Sequence, residues 1–188
     1  MNIRSALMKS VVVAACALLA YGWASAANEA GDLAARVKRL EDVEQIGQLL
    51  REYGVRLDAR DFRGYSELFA EEGEWIGGFG RAKGPAAILA MMEKNMPARP
   101  GERALGGLHM FSNPRIDVNG DRATAVIKWA FIRPDKDNRP MLVYVGHYDD
   151  TLIREHGQWK FLRRVAAADI PYSDPLAAPA TGERQDAR

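Results

Sequence analysis

The chain changes its hydrophobic period part-way along, and that switch limits the folds open to it. Up to about Met96 apolar residues recur every three or four positions, whereas from Leu108 they alternate. Leu108 to Val118 leads into Asn119-Gly120, a pair suited to a tight hairpin because both residues tolerate the positive φ such turns need. Ala123, Ala125, Ile127, Trp129 and Phe131 then alternate with other residues, as a half-buried strand does. Pro134 to Pro140 is charged and reads as a second hairpin loop. Met141 to Arg154 and Gln158 to Ala168 form another strand pair about His156-Gly157. Helices followed by consecutive long hairpins predict an α+β fold. A strongly curved antiparallel sheet wrapped around the N-terminal helices would form a cone with an internal pocket. Trp75, Phe79, Met92, Phe111, Trp129, Phe131, Tyr144 and Tyr148 are placed to line it.

In the first half, Val37, Leu40, Val43, Ile46, Leu49, Leu50, Tyr53 and Leu57 predict an amphipathic helix starting at Leu33, after a flexible lead-in over 27–32. Asp61 suits the N-cap of a second helix carrying Phe62, Tyr65, Leu68 and Phe69, because its short carboxylate can accept from a first-turn amide. Glu74 to Phe79 is aromatic and interrupted by glycine, so it reads as a bent strand. Gly84-Pro85 opens a third helix with Ile88, Leu89 and Met92 on one face; proline lacks only an amide that the first turn leaves unbonded anyway. Pro97 to Gly106 is a loop. The folded domain is thus expected over 33–170, with 171–188, rich in Pro, Ala and charge, as a flexible tail.

The first 26 residues stand apart. Arg4 and Lys9 precede an apolar run from Val11 to Tyr21 and the small-residue motif Ala24-Ser25-Ala26, which predicts a signal peptide over 1–26 and a periplasmic or secreted protein. The run is too short for a permanent anchor, so no membrane association is expected after cleavage. Val13-Ala14-Ala15-Cys16 offers a rival reading, lipidation at Cys16, but the apolar stretch before that cysteine is short. Cys16 is the only cysteine. Past Ala26 there is then no disulfide, no thiolate nucleophile and no cysteine-ligated metal. Lys plus Arg (26) nearly balances Asp plus Glu (25), and the basic residues are scattered, which argues against a nucleic-acid partner. There is no His-Glu-x-x-His, no Gly-rich phosphate loop and no Gly-x-Ser-x-Gly elbow. No metal and no cofactor are expected, and a hydrophobic small molecule is the expected partner.

Against that background Asp58 and His109 draw attention. Asp58 lies where the first helix runs out, and His109 opens a strand. A curved sheet could bring them together as a carboxylate–imidazole pair, which fixes the ring's tautomer and suits proton abstraction without a cofactor. A helix-ending role also fits Asp58, although Asp61 is the better-placed cap. His147 competes with His109 as a pocket residue, because its strand pattern leaves its facing undecided. His156, beside Gly157 in a turn, is expected to face solvent.

Leu57-Asp58-x-x-Asp61-Phe62, Glu74-Trp75, Lys83-Gly84-Pro85, His109 and Gly157-x-Trp159-Lys160-Phe161, in that order, resemble the SnoaL-like group of the nuclear-transport-factor-2-like superfamily. The resemblance spans roughly Leu40 to Ala168. Within the superfamily it is strongest to a branch of cofactor-free lyases: scytalone dehydratase, hexachlorocyclohexane dehydrochlorinase and bile-acid 7α-dehydratase. It implies that Asp58 and His109 work together. It places Tyr53 at the tyrosine of the bile-acid enzyme and Arg164 at the arginine of the dehydrochlorinase, with Arg163 the near alternative. The second tyrosine of scytalone dehydratase falls near Gly77, and its second histidine has no counterpart, so a different substrate is implied.

The expected activity is therefore an elimination of the dehydratase type, with carbon–carbon cleavage as a variant, on a hydrophobic cyclic or aromatic molecule. Asp58, His109, Tyr53 and Arg164 would be catalytic. An isomerase or cyclase using the same pair, or a non-catalytic binding or dimerisation module, are the alternatives; a homo-oligomer, dimer or trimer, is expected in each case. Intact-mass analysis of the exported protein should give an amino terminus near Ala27, and a lipid-modified Cys16 would contradict the signal-peptide reading.

Overall fold

The computed structural model describes residues 3–97 and 106–173; most of the Pro97–Gly106 loop and the tail from 174 onward lie outside the described residues. Helix α1 runs without interruption over Ile3–Ala59. The lead-in expected at 27–32 is helical instead. Ala27, Glu29 and Ala30 favour helix there, and a single Gly31 without proline is too little to break it. Among the described residues no helix is long and apolar enough to cross a membrane. Two compact units meet at Asp42/Val43. In the first, Leu33, Val37 and Leu40 of the expected apolar stripe are exposed, and Lys38 pairs with Asp42 at 2.8 Å.

The second unit holds the sheet. From residue 43 on, α1 buries Ile46, Leu49, Leu50 and Tyr53. Asp61 caps α2 (Phe62–Ser66), its carboxylate accepting from Gly64 N at 3.0 Å. This helix is shorter than its sequence suggested. Phe161 N donates to Leu68 O at 3.0 Å, so pairing with a distant strand claims the chain before Phe69 can join the helix. Strand β1 (Phe69–Gly77) turns into β2 (Gly80–Lys83), and α3 (Pro85–Asn95) follows with Gly84 as N-cap. Gly84 has φ 80°, a region that favours glycine.

The long strands β3 (Leu108–Asn119), β4 (Arg122–Pro134), β5 (Pro140–Glu155) and β6 (Gln158–Ile170) form consecutive hairpins. The β5–β6 turn has His156 and Gly157 at φ 51° and 79°, the positive pair that a tight two-residue turn needs. The strand order is β2-β1-β6-β5-β4-β3, giving a curved sheet that does not close. The expected antiparallel sheet is mixed at one place: β1 lies parallel to β6. A helix and four strands intervene between them, so no hairpin dictates their direction. Tyr172–Ser173 adds a short β7 beside β6, so the tail begins as ordered strand rather than loose chain.

Register shifts fall between Ser112/Arg115, Phe131/Ile132 and Val145/Gly146. Bulges bend a strand and increase its twist. The extra residues fall in β3, β5 and β6, so these strands are bent at the end of the sheet where His109 lies. Gly146 sits in this bend directly beneath the Trp129 indole, and a Cβ there would overlap both the indole and the Ala167 carbonyl. Gly146→Ala should therefore cost about 1–3 kcal/mol of stability through overpacking, readable as a lower urea midpoint with an unchanged slope.

Candidate active site

Asp58 occupies the last turn of α1, and His109 is the second residue of β3. The carboxylate takes two bonds from the same residue: Oδ1 lies 2.6 Å from His109 Nδ1, and Oδ2 accepts from the His109 backbone N–H at 2.9 Å. Both side chains are mostly covered, at 16% exposure for His109 and 18% for Asp58. With Nδ1 engaged, Nε2 is the free end of the ring, and it has no hydrogen-bond partner among the described residues. Aromatic rings surround the imidazole: Phe131 at 4.8 Å, Trp129 at 6.2 Å and Phe111 at 6.3 Å between centroids. Ladder register explains the grouping. His109 pairs with Phe131 and Phe111 with Trp129 across β3–β4, and alternation turns all four to one face.

Tyr53 and Arg164 are brought together in a second, deeper cluster. Trp75, Arg164 and Asp150 are lateral neighbours across β1, β6 and β5. Asp150 accepts from Arg164 Nε at 2.7 Å and from Nη2 at 2.6 Å. The guanidinium lies 3.9 Å from the Tyr53 ring centre, 4.1 Å from Phe161 and 4.2 Å from Tyr148. Arg164 is completely buried, and its Nη1 lacks a partner. Burial works against its charge, but the Asp150 carboxylate and the facing tyrosines outweigh that and raise its pKa further. Tyr53 Oη accepts from Tyr65 at 2.7 Å and from Trp75 Nε1 at 3.1 Å. Burial first, then the neighbouring Tyr53, pushes the Tyr65 and Tyr148 hydroxyls well above their ordinary range, so both remain neutral.

The four residues expected to be catalytic thus form two groups rather than one. Five residues separate Tyr53 from Asp58 on α1, about 140° of helical rotation, which sends one into the core and the other to the rim. Of the residues expected to line the pocket, Phe111, Trp129 and Phe131 ring His109. Trp75, Met92 and Tyr148 are core, Phe79 stacks on Trp75 at 5.9 Å, and Tyr144 is exposed. His147 is not a pocket residue. It lies on the opposite face of β5 from Tyr148, with Nδ1 on Asp169 at 2.9 Å and Nε2 on Asp149 at 3.4 Å. Arg163 likewise points outward, toward Glu74 at 3.8 Å. An open groove of about 640 Å³ lies elsewhere, between Gln45–Glu52 of α1 and the Gly157–Lys160 turn. Its walls mix Leu49, Leu68 and Trp159 with glutamines and solvated charges, with no titratable pair held out of water. Asp150 and Tyr65 went unnoticed as partners of Arg164 and Tyr53. The available signal was a carboxylate at the inward alternate of Tyr148 and Leu152.

A curved α+β sheet with a carboxylate-held histidine at its aromatic end is the frame in which the comparisons fall. The family model of the SnoaL-like domain matches residues 38–165. An NTF2-like protein with a cystatin-like fold from Novosphingobium aromaticivorans is 31% identical, with 77% of this chain and 93% of that chain covered and a TM-score of 0.64. A provisionally named scytalone dehydratase from the same species is 24% identical over 75% of this chain and 97% of its own, TM-score 0.59. ActVI-ORFA from Streptomyces coelicolor is 22% identical over 68% and 97%, TM-score 0.60. The last two likenesses show the fold alone. No curated protein sequence matches the chain significantly. The chain belongs to the SnoaL-like family.

Removing one partner of a buried ion pair leaves the other charged and unsolvated. Arg164→Met should cost about 3–5 kcal/mol in urea denaturation, while Arg164→Met combined with Asp150→Leu should recover most of the loss.

Proposed function

We propose that this protein is a cofactor-independent lyase that eliminates water, or a comparable leaving group, from a hydrophobic cyclic or aromatic molecule, in the periplasm or outside the cell. The observation that carries the reading is the Asp58–His109 contact at 2.6 Å, which leaves Nε2 facing an aromatic surround. Nε2 takes a proton from a carbon of the substrate. The electron pair of that C–H bond becomes the new double bond, and the hydroxyl on the adjacent carbon leaves with its own bonding pair. The imidazolium returns the proton to the departing hydroxide, so the products are an alkene and water. Asp58 offsets the transient charge on the ring and keeps it in one orientation. The aromatic walls exclude water and strengthen both effects. Tyr53 and Arg164 contribute from beneath, through Tyr148, which lies 5.9 Å from Phe111 and 5.7 Å from Trp129.

One observation favours a second, non-catalytic reading. The bond from Asp58 to the His109 backbone N–H would tie α1 to β3 whatever the ring does. Mutant kinetics separate the two, on a substrate found by screening purified protein against hydrophobic alcohols. In the lyase reading His109→Ala folds but loses about 10²- to 10⁴-fold in turnover. Asp58→Asn loses a comparable factor, and the double mutant little more, because the pair acts as a unit. Near-normal turnover by folded His109→Ala protein would remove the dyad from the chemistry.

A further inference from the structure

The indole N–H of Trp129 is a donor that nothing among the described residues satisfies. Nε1 is closed off from solvent and has no hydrogen-bond partner. A donor in that state has lost its water without a replacement, and buried polar groups in folded proteins are rarely left so. Strand backbone and aromatic rings surround it, and none of them takes its hydrogen bond. The indole lies across Gly146, stacks on Tyr148 at 5.7 Å and approaches His109 at 6.2 Å. Glycine at 146 is what allows the ring to settle there, since any Cβ would strike it.

We propose that Trp129 Nε1 donates a hydrogen bond to a carbonyl or ring-borne oxygen of the ligand handled by Asp58 and His109, and so selects oxygenated rings over plain hydrocarbons. This rests on the dyad reading above. On the shared face of β3–β4, His109 stands opposite Phe131, and Trp129 opposite Phe111. The two pairs are two residues apart along the strands, about 7 Å, which is the span of a single ring with its oxygen. A flat ring lying across that step carries its oxygen to Trp129 and an adjacent C–H to His109 Nε2. The two contacts support each other. When His109 removes a proton next to a carbonyl, negative charge gathers on the oxygen, and a fixed donor there holds it. Phe111 and Phe131, which share this face, are both half-buried and flank the step on which the ligand would lie.

Acetophenone and α-methylstyrene, which has CH₂ in place of the oxygen, separate this from simple hydrophobic binding. In full-length protein labelled with ¹⁵N-tryptophan, the signal missing from Trp129→Phe identifies the Trp129 Nε1–H among the four indoles. Acetophenone should move that resonance downfield, and α-methylstyrene should not. Acetophenone should bind roughly two- to tenfold tighter than its isostere, the worth of one neutral hydrogen bond. Trp129→Phe removes the donor and should lose that preference, so that the two ligands bind it equally; the smaller ring also leaves a void, and a lower thermal midpoint is expected from packing alone. A Trp129 resonance that stays put up to the solubility of acetophenone overturns the proposal, as does a preference for acetophenone that survives in Trp129→Phe. The His109 ring signals distinguish the failures. If they respond while Trp129 is silent, only the donor role falls; if both are silent, the dyad pocket falls with it.

Discussion

Asp58 ties the end of a helix to the beginning of a strand fifty-one positions later in the chain, and it does so through both oxygens of one carboxylate. One oxygen holds the His109 backbone in place and the other holds the ring. A single bond to the ring would leave the imidazole free to pivot with the strand end. Two bonds to one residue fix where the strand starts and which nitrogen faces the aromatic surround. The local bulges in β3, β5 and β6 turn the sheet toward this point, so the rings of Phe111, Trp129 and Phe131 converge on a histidine already oriented.

Beneath it, the Arg164–Asp150 pair serves a different end. Three aromatic faces close around the guanidinium, and two short bonds occupy the carboxylate. A buried ion pair of this kind gives little net stability over an apolar replacement, but it punishes every arrangement that separates its members. Here it pins the lateral register of β5 against β6 and seats Tyr53 from α1 over both. The reactive-looking pair is thus partly covered at the rim, and the fully buried charges act as scaffolding. The division follows from depth, because a group that must reach a substrate cannot be sealed.

Much of this was legible in the sequence, for reasons that differ from element to element. The hairpins were, because Gly120 and the His156-Gly157 pair sit at turn positions whose positive φ values few residues tolerate. The Asp58–His109 meeting was, because a helix end and a strand start leave few other places for two polar groups flanked by apolar ones. The facing of His147 was not. An extra residue at Val143 shifts the alternation of β5 just before it, and only the observed ladder shows His147 pointing to Asp149 and Asp169. Arg164 was placed inward by resemblance, yet its partner Asp150 sits fourteen residues away on another strand, where register rather than spacing decides the contact. The early end of α2 was equally hidden, since the bond that ends it comes from Phe161.

The central claim is that Asp58 holds the neutral His109 ring with its proton on Nδ1 and the Nε2 lone pair free to act as a base. The ¹⁵N chemical shifts of the His109 imidazole, measured above its titration range, test this directly. The account predicts a protonated, pyrrole-type Nδ1 and an unprotonated, pyridine-type Nε2 in the native protein, with that preference lost in Asp58→Asn. A native ring carrying its proton on Nε2 would contradict it.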